Sequence, residues 1–288
     1  GIECAGVVAA VGEGVERFQV GDEVMGVAPH SFASHCISAD YALVRKPDVL
    51  DHCEAATIPI TFLTAYYALR RVAHLQKGER ILIHAGAGGV GLAAIQIAQD
   101  VRAEIFATAG SDEKRDYLRS LGVPHVMNSR TLEFADEIMQ VTDRQGVDVV
   151  LNSLPGDAID KSLSVLRAYG RFLEIGKTDI YQNRMIGLLP FQDNLTYSAI
   201  DLDRMLRQRP DYIRALFEEL MRYFHSGTYR PLNFTQFAIE DVTGAFRYMS
   251  QRKNIGKVVV SLDREDADTQ GEQECAGVVR EDGSYLIT

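Results

Sequence analysis

Cysteines are few in this chain, and acidic residues outnumber basic ones. Its 288 residues include only four cysteines, at 4, 36, 53 and 275, and they are scattered without short pairing. This usage argues against a disulfide framework and favours a reducing compartment, so we expect a cytoplasmic protein. Lys and Arg number 30 against 40 Asp and Glu, a net charge of −10. That balance argues against a nucleic-acid-binding protein but leaves room for a local basic pocket that holds a phosphate.

The chain also shows no pattern for export or membrane insertion. Residues 1–14 contain Glu3 and Glu13 and no basic segment, so they do not resemble a signal peptide. The run 81–98 has no Asp, Glu, Lys or Arg but includes His84, Gln96 and several glycines. It predicts a buried strand that turns at the glycines into a buried helix, rather than a membrane span. With 46% hydrophobic residues the chain can bury a sizeable core, and its length suggests two domains.

Short apolar runs alternate with helical patterns in the middle of the chain. The runs are mostly apolar rather than alternating, as burial on both faces of a sheet requires. Their alternation with helices predicts a doubly wound α/β fold of Rossmann type, with helices on both sides of a parallel sheet. The predicted strands span 80–85, 104–109, 147–152 and 171–175, and the predicted helices span 90–99, 112–121 and 158–168.

The flanks of this alternating region differ from it. Residues 1–47 are rich in valine and in glycine turns, and they predict β structure. Residues 263–281 carry many charges and few large apolar side chains, which is typical of a linker. The apolar run at 282–288 is expected to begin a further domain. The elements predicted between these flanks are helices at 205–224 and 239–250 and a strand at 257–261.

A glycine-rich turn joins the first strand of the alternating region to its helix. The letters GAGGVG fit G-x-G-x-x-G, which is weak evidence alone but meaningful between a strand and a helix. The first glycine permits the tight turn, the second lets backbone approach a pyrophosphate, and the third lets the helix pack closely. Free N–H groups at the helix start face the anion. The alternative is a glycine turn without a ligand. We predict a dinucleotide cradle of Gly86, Gly88, Gly89, Val90 and Gly91.

The end of the next strand bears on which dinucleotide binds. NAD-binding proteins usually place an acid there for the ribose hydroxyls. Here Ser111, Lys114 and Arg115 can instead hold a 2′-phosphate through charge-assisted hydrogen bonds. Asp112 and Glu113 leave the ribose acid open as an alternative, although they suit a first helical turn. A solvated helix face is the other alternative for Lys114 and Arg115. We expect NADP as the cofactor.

Nine short stretches match motifs of one known family. They lie at 1–6, 20–24, 55–60, 64–69, 83–91, 150–154, 170–177, 245–249 and 255–260. On these stretches the chain resembles the medium-chain dehydrogenase/reductase superfamily and, more narrowly, the enoyl reductase domain of polyketide and fatty acid synthases. The resemblance implies a Rossmann-type NADP-binding domain at 56–227 and a GroES-like, β-rich substrate domain at 1–55 and 228–262. It also implies a linker at 263–281 and the first strand of a ketoreductase domain at 282–288.

The chain departs from part of the superfamily at its first residues. The zinc alcohol dehydrogenases carry Gly-His-Glu where this chain has Gly1, Ile2 and Glu3, and Ile2 cannot bind a metal. A structural zinc needs four closely placed ligands, and no run of cysteines supplies them. The resemblance therefore points to the zinc-free branch, and we expect no metal. Family members carry a β-rich segment before the position of Gly1, so we expect the GroES-like domain to be amino-terminally truncated.

The resemblance also implies roles for residues near the nicotinamide. Lys177 follows the carboxyl end of a predicted strand, where ligands bind in open α/β sheets, and it can donate a proton or stabilise an enolate. The family pattern pairs this lysine with an aspartate 26 residues on, Asp203, and Asp201 is a close competitor. A salt-bridged Lys177 on the rim is the alternative. For Thr64 the alternative to a cofactor contact is a buried threonine that caps a helix. His84 is expected to be a core residue. The implied cofactor contacts are Thr64, Asn152, Ser153, Lys253, Asn254 and Gly256.

The function implied by the resemblance is NADPH-dependent reduction of the α,β-double bond of an enoyl thioester. The substrate would be tethered through phosphopantetheine to an acyl carrier protein, beside a ketoreductase and other synthase domains. A homodimer through the parent synthase is left open. One alternative is a free-standing NADPH quinone or enone reductase, against which the linker and strand after residue 262 argue. Another is a structural module without turnover, against which the intact cradle and Lys177 argue.

Overall fold

The computed structural model describes residues 1–262, so the linker predicted at 263–281 and the strand predicted at 282–288 lie outside the described residues. The strands are β1 (Glu3–Val7), β2 (Glu23–Val27), β3 (Leu43–Arg45), β4 (Arg80–Ile83), β5 (Glu104–Ala109), β6 (His125–Asn128), β7 (Val147–Asn152), β8 (Leu166–Glu174), β9 (Thr196–Ala199), β10 (Phe234–Ala238) and β11 (Lys257–Ser261). The α-helices are α1 (His52–Ala55), α2 (Pro59–Tyr66), α3 (Gly89–Val101), α4 (Asp112–Ser120), α5 (Phe134–Val141), α6 (Asp157–Ser164), α7 (Thr178–Tyr181), α8 (Leu202–Gln208), α9 (Pro210–His225) and α10 (Val242–Ser250).

Six strands form one sheet in the order β6-β5-β4-β7-β8-β9, and each neighbouring pair is parallel. This arrangement confirms the predicted doubly wound sheet of Rossmann type. The strand order reverses between β4 and β7, and in such folds ligands bind outside the carboxyl ends of the strands at that point. The turn after β4 and the segments after β7 and β8 therefore meet at one edge of the sheet.

Both faces of this sheet are buried, as the apolar runs predict. Ile81 and Ile83 of β4 belong to the larger core, which includes residues of α2, α3 and α9. Leu82, between them, belongs to a second core with Phe106 and Phe172. Because successive side chains of a strand point to opposite faces, one strand supplies both cores.

The strands predicted at 104–109 and 147–152 have the same bounds in the structure, as β5 and β7. The helix predicted at 158–168 is wrong at its carboxyl end. Helix α6 ends at Ser164, and β8 begins at Leu166. The carbonyl oxygen of Val165 accepts the backbone N–H of Val147 at 2.9 Å, and β7 pairs with β8 from Leu166. Pairing with a distant strand therefore overrides the local helical pattern.

The single helix predicted at 205–224 is two helices, α8 and α9. Pro210 is the first residue of α9, where its missing N–H costs nothing, but it cannot continue α8. The helix predicted at 239–250 begins as a short 3-10 turn, Ile239–Asp241, before α10. Asp241 accepts the backbone N–H of Gly244 and so caps α10.

The amino-terminal region forms an antiparallel sheet, β1-β2-β3, which confirms the β structure predicted for 1–47. Strands β10 and β11 form a separate parallel pair. The Glu3 carboxylate of β1 accepts the backbone N–H of Ile60 in α2 at 2.9 Å and pairs with Lys257 of β11. This contact joins the three-stranded sheet to the rest of the molecule. The domain bounds 1–55, 56–227 and 228–262 stay predictions. No helix within residues 1–262 is both long and apolar enough to cross a bilayer.

Candidate active site

The predicted cradle lies where β4 ends and α3 begins. Ala85 adopts a left-handed conformation with φ of 49°, and Gly88 immediately precedes the first turn of α3. A Cβ atom on Gly91 would lie 2.5 Å from the carbonyl oxygen of Ala85 and 2.7 Å from the Cα atom of Gly86. Only glycine allows this approach, so Gly91 has the close-packing role predicted for the third glycine. Val90 of the same turn packs against the larger core.

A cleft of about 640 Å³ opens beside this turn, at the carboxyl edge of the sheet. The turn contributes Gly88, and the ends of β5 and β6 contribute the neighbouring walls. Three basic side chains, Lys114, Arg130 and Arg252, line the cleft together with Ser111. A glycine turn at a helix start, open to a cleft with several cations, fits the anionic part of a nucleotide.

Ser111 and Lys114, two of the predicted phosphate contacts, both line this cleft. The Oγ atom of Ser111 accepts the backbone N–H of Lys114 at 3.4 Å and caps α4. The Nζ atom of Lys114 donates to the carbonyl oxygen of Arg252 at 2.7 Å. Burial lowers the pKa of Lys114, and the nearby charge of Arg130 lowers it further. An anion between these cations would offset that repulsion.

Arg115, the third predicted phosphate contact, does not line this cleft and is held by other partners. Its guanidinium donates to the carbonyl oxygen of Ala109 at 3.1 Å and pairs with Asp112. The residues that line the cleft include Ser111 and Lys114 but not Arg115. Asp112 lies in the first turn of α4, as the sequence analysis favours, and its side chain is 93% exposed.

The sequence analysis missed Arg130 and Arg252. A Cβ atom on Gly110 would lie 2.8 Å from Nε of Arg130, so this guanidinium lies directly on the glycine that follows β5. Arg130 comes two residues after β6, and β6 pairs in parallel with β5. The strand order alone would therefore have brought Arg130 to the predicted phosphate site. Arg252 comes from a distant segment, for which the sequence offers no such signal.

The segment 253–256 closes over the cradle from the other side. Gly256 pairs with Gly88 as an isolated parallel bridge, and its backbone N–H donates to the carbonyl oxygen of Ala87 at 2.8 Å. The side-chain amide of Asn254 donates to the carbonyl oxygen of Gly256 at 3.0 Å, and Asn254 lines the cleft. Lys253 is exposed beside them. Of the three predicted cofactor contacts here, Asn254 and Gly256 are adjacent to the cradle.

Asn152 and Ser153 follow the end of β7, and Thr64 is a buried residue of α2. Asn152 is fully buried, and its side chain is held at both ends. It donates to the carbonyl oxygen of Leu154 at 2.9 Å and accepts the backbone N–H of Leu154 at 3.1 Å. The Asn152 side chain therefore shapes the turn that presents Ser153 at the carboxyl edge.

Lys177 follows β8 and contacts Asp201, not Asp203. Its Nζ atom donates to Oδ1 of Asp201 at 2.8 Å, and both side chains are 36% exposed. Asp201 also accepts the backbone N–H of Arg204 and caps α8. Burial alone would raise the pKa of Asp201, but the hydrogen bonds from Lys177 and Arg204 outweigh it and hold that pKa below its usual value.

Asp203, the aspartate that the family spacing implies, lies within α8 and faces a different partner. Its carboxylate pairs with Arg207 one turn later at 2.8 Å and is 63% exposed. The structure thus brings the lysine to the competitor that the sequence analysis kept open. Spacing alone could not separate the two, because the decisive feature is the cap at the start of α8.

Glu174, the last residue of β8, is a buried carboxyl group that the sequence analysis did not single out. It is 3% exposed and accepts hydrogen bonds at 2.6 Å from the Asn152 side chain and from the backbone of Gly176. Burial is the main cause that raises its pKa, to about 7, against the effect of both hydrogen bonds. An acidic residue inside an otherwise apolar predicted strand was the signal available in the sequence.

His84 is a core residue, as expected. Its two ring nitrogens contact the hydroxyl groups of Thr108 at 2.9 Å and Ser162 at 2.8 Å. It is 2% exposed, and burial lowers its pKa to about 3. A neutral, fully paired imidazole on the strand before the cradle serves the packing of the sheet.

Two family models match the chain. The alcohol dehydrogenase GroES-like domain matches residues 1–57, and the zinc-binding dehydrogenase domain matches residues 121–260. A Rossmann sheet with a dinucleotide cradle, beside a GroES-like domain, defines a medium-chain dehydrogenase/reductase, a class that uses a nicotinamide cofactor.

Comparison with a similar synthase and with two solved structures identifies the family within this class. A phenolphthiocerol/phthiocerol polyketide synthase of Mycobacterium tuberculosis is 40% identical over 288 residues, which is all of this chain and 13% of that protein. The CurK enoyl reductase structure is 48% identical, with a TM-score of 0.79 over 90% of this chain and 78% of that one. The CurF ER cyclopropanase of the curacin A pathway is 42% identical, with a TM-score of 0.84 over 91% and 78%. The chain belongs to the family of enoyl reductase domains of polyketide synthases.

The side chains present fit a nicotinamide dinucleotide but not the zinc that one family description names. The cradle has no room for a Cβ atom at Gly91, and the adjoining cleft has basic walls. By contrast, among residues 1–262 no group of three or more His, Cys, Asp or Glu side chains is placed to hold a metal ion. We therefore derive no chemistry from zinc, and the absence of metal stays a prediction that elemental analysis can check.

Proposed function

We propose that this chain reduces the α,β-double bond of an enoyl thioester with NADPH, as one domain of a polyketide synthase. The observation that carries the proposal is the pair of Lys177 and Asp201, 2.8 Å apart, at the same edge of the sheet as the dinucleotide cradle. The similarity to CurK, whose structure is described as that of an enoyl reductase, supports the reaction class.

The cofactor in this proposal is NADP rather than NAD. Ser111, Lys114 and Arg130 line one cleft, and two of them are cations that can surround a 2′-phosphate. The acid next to them, Asp112, pairs with Arg115 and is exposed, so it is not positioned as a ribose acid. Gly88, Asn254 and Gly256 lie along the cradle. Ser153 and Thr64 are the proposed contacts toward the nicotinamide, and Asn152, which is buried, is proposed to hold the turn that presents Ser153.

The proposed chemistry divides between the cofactor and Lys177. A reduced nicotinamide supplies a hydride for the β carbon when it is bound. The Lys177 ammonium then stabilises the negative charge that develops on the thioester oxygen, or donates its proton to the α carbon. Asp201 holds the Nζ atom of Lys177 in place through a charge-assisted hydrogen bond.

The partner in this proposal is an acyl carrier protein that bears the enoyl chain on phosphopantetheine. The chain spans about 13% of the length of the mycobacterial synthase that it matches, so the similar segment is a small part of that relative. A tethered substrate is the form in which such an assembly passes intermediates between domains. Neighbouring synthase domains, including a ketoreductase, and a homodimer are proposals on the same ground.

The test is reduction of a crotonyl pantetheine thioester by the full-length protein. NADPH oxidation is followed by its absorbance, and the product is identified by mass spectrometry as the saturated thioester. Lys177→Ala should lower kcat by about 10²-fold or more, the range of a lost general acid. Lys77→Ala is the matched control, because Lys77 is exposed in the segment before β4, at the opposite edge of the sheet.

Two other outcomes would replace this proposal. Rapid NADPH oxidation with a quinone or a free enone, and none with the thioester, would indicate a quinone or enone reductase. Tight NADPH binding without turnover of any acceptor would indicate a structural module. The CurF relative is named a cyclopropanase, so the mass of the product, and not NADPH oxidation alone, is the deciding readout.

A further inference from the structure

Glu174 holds two separate turns at the carboxyl edge of the sheet. Its Oε2 atom accepts a hydrogen bond from the Asn152 side chain at 2.6 Å, and its Oε1 atom accepts one from the backbone N–H of Gly176 at 2.6 Å. Asn152 and Glu174 are also paired residues of β7 and β8. One carboxyl group therefore links the turn after β7 to the turn after β8.

Gly176 is built to allow this contact. A Cβ atom at that position would lie 2.7 Å from Oε1 of Glu174, so a larger residue would displace the carboxyl group. The next residue is Lys177, whose Nζ atom pairs with Asp201. The hydrogen bond to Gly176 thus fixes the backbone one residue before the proposed proton donor.

The other oxygen of Glu174 acts on the turn after β7. The Asn152 side chain that it holds also makes both hydrogen bonds to Leu154. Those two bonds enclose Ser153, one of the proposed cofactor contacts. The carboxyl group is therefore a direct junction between the segment that carries Lys177 and the segment that carries Ser153.

We propose that Glu174 is a positioning residue for the reduction: its carboxylate holds the turns 152–154 and 176–177 in the arrangement that places Ser153 at the cofactor and Lys177 at the substrate. The proposal rests on the enoyl reductase function proposed above. Both oxygens must accept a hydrogen bond at once, and only the ionised carboxylate does this without also presenting a donor.

Ionisation of Glu174 at this place has a cost that a purely structural residue would avoid. Burial raises its pKa to about 7, and the charge of Asp179 in α7 adds to the rise. Tyr197 of β9 also faces it, and burial and the Glu174 charge raise the pKa of Tyr197 to about 12, so this tyrosine stays neutral. The Asp179 charge is partly offset by Arg184, 3.8 Å away. Both Glu174 oxygens are therefore free to act as acceptors above about pH 7, whereas below it one of them carries a proton.

The test compares Glu174→Gln with the swap Asn152→Asp/Glu174→Gln in the full-length protein. Glu174 accepts from two donors, the Asn152 side-chain amide and the Gly176 backbone N–H. A glutamine at position 174 has only one acceptor oxygen, and its NH2 group faces the other donor. One of the two turns therefore loses its acceptor. In the double variant the carboxylate introduced at position 152 accepts from the amide introduced at position 174. The oxygen of that amide still accepts from Gly176, which restores the link between the two turns with its direction reversed, while the carbonyl oxygen of Leu154 loses the donor that Asn152 supplies.

The matched control is Glu79→Gln. This change breaks a half-buried ion pair with Arg171, joined by hydrogen bonds of 2.7 and 2.8 Å, at the opposite edge of the sheet. It therefore removes a carboxylate of similar pairing without touching either turn.

For Glu174→Gln we expect kcat with crotonyl pantetheine thioester to fall about tenfold or more, while KM and the NADPH Kd change less than threefold. The wild type should lose kcat as the pH falls through about 7, and this acid limb should vanish in Glu174→Gln. The double variant should regain part of the lost activity, because the two turns are linked again while the Leu154 carbonyl lacks its donor. Glu79→Gln should keep both kcat and the acid limb.

Three results would overturn the proposal. One is a wild-type kcat without an acid limb between pH 6 and 8, which needs no variant to fold. Another is a Glu174→Gln enzyme with unchanged kcat. The third is a loss of kcat in Glu174→Gln that is fully accounted for by its loss of folded protein.

Hydrogen exchange separates this proposal from the proposed function. The amide of Gly176 should exchange at least tenfold faster in Glu174→Ala, which removes both acceptor oxygens, than in the wild type, whether or not the protein turns over a thioester. Faster exchange without any thioester reduction by the wild type would keep the link between the turns and overturn the function. Unchanged exchange at Gly176 would overturn the link itself.

Discussion

The carboxyl edge of the six-stranded sheet has two halves that differ in what they present: a backbone half around β4, β5 and β6, and a side-chain half around β7, β8 and β9. Around β4, β5 and β6 small residues such as Gly88, Ala109 and Gly110 line the surface and leave its backbone accessible, and basic side chains lie at its margin. Around β7, β8 and β9 it is a network of side chains, in which Asn152, Glu174, Lys177 and Asp201 hold one another or the adjacent turns. An anion can be bound by backbone N–H groups and needs space, whereas a reacting group needs a fixed donor. The difference teaches that binding and chemistry can be assigned to separate halves of one edge.

The largest effect is expected in the backbone half. Gly91→Ala places a Cβ atom 2.5 Å from the carbonyl oxygen of Ala85, so α3 must move away from the cradle. We expect NADPH binding to weaken by more than 100-fold, or the domain to lose its fold. Isothermal calorimetry and circular dichroism measure the two. Gly12→Ala is the control, because nothing lies within 4 Å of the added atom. NADPH affinity equal to wild type in Gly91→Ala would mean that the cradle is not the binding site.

The second effect belongs to the side-chain half. Lys177→Ala should lower kcat by about 10²-fold or more and leave the NADPH Kd nearly unchanged, because it removes a reacting group and no cradle contact. Asp201→Asn should lower kcat less, since the lysine remains but loses its partner. A double variant should cost less than the product of the two single losses, as expected for residues that act as a unit. If the NADPH Kd of these variants rose by the same factor as kcat fell, binding and chemistry would not be separated between the two halves.

A third, smaller effect concerns the margin of the backbone half. Lys114→Ala and Arg130→Ala should each narrow the preference for NADPH over NADH by about 1–3 kcal/mol, the scale of a hydrogen bond to a charged group. Arg115→Ala is the matched control and should change the preference little, since Arg115 is held by Ala109 and Asp112. Calorimetry with both cofactors gives the comparison. If Arg115→Ala narrowed the preference for NADPH over NADH more than Arg130→Ala did, the phosphate site would be Ser111, Lys114 and Arg115, as predicted from the sequence.

How readily each half can be predicted from the sequence follows from the same difference. A glycine turn is local, so GAGGVG between a strand and a helix predicts the cradle without any distant contact. The fold class was equally predictable, because apolar runs and their alternation with helices are local patterns as well. Arg130 reaches the cleft only through the pairing of β5 with β6, and that pairing is a property of the folded sheet.

The side-chain half was less predictable for a physical reason. Its residues come from β7, from β8 and from the start of α8, and their contacts depend on where those elements begin and end. Asp201 contacts Lys177 because it caps α8, while Asp203, two residues later, faces Arg207 within the helix. Glu174 escaped notice because its partners, Asn152 and Gly176, are meaningful only when β7 and β8 are paired.

The smallest effect is one of stability, and its sign follows from the raised pKa of Glu174. The folded-state pKa is about 7, above the ordinary glutamate value of 4.5. Glu174 therefore contributes stability that is fully present below about pH 4.5 and is lost as the pH rises through 7. Thermal melts from about pH 5 to 8 should show a decline in wild-type Tm that is shallower in Glu174→Gln. A steeper decline in the variant would mean that the carboxyl group is stabilised by ionisation.

The central claim is that the side-chain half supplies a proton at the edge where the backbone half binds the dinucleotide. Its most direct test is reduction of crotonyl pantetheine thioester by the full-length protein with NADPH in D2O, followed by mass spectrometry and NMR of the product. We expect a saturated thioester with one deuterium at the α carbon, formed about 10²-fold more slowly or slower by Lys177→Ala and at the wild-type rate by Lys77→Ala. A saturated product that Lys177→Ala forms as fast as the wild type would contradict the claim.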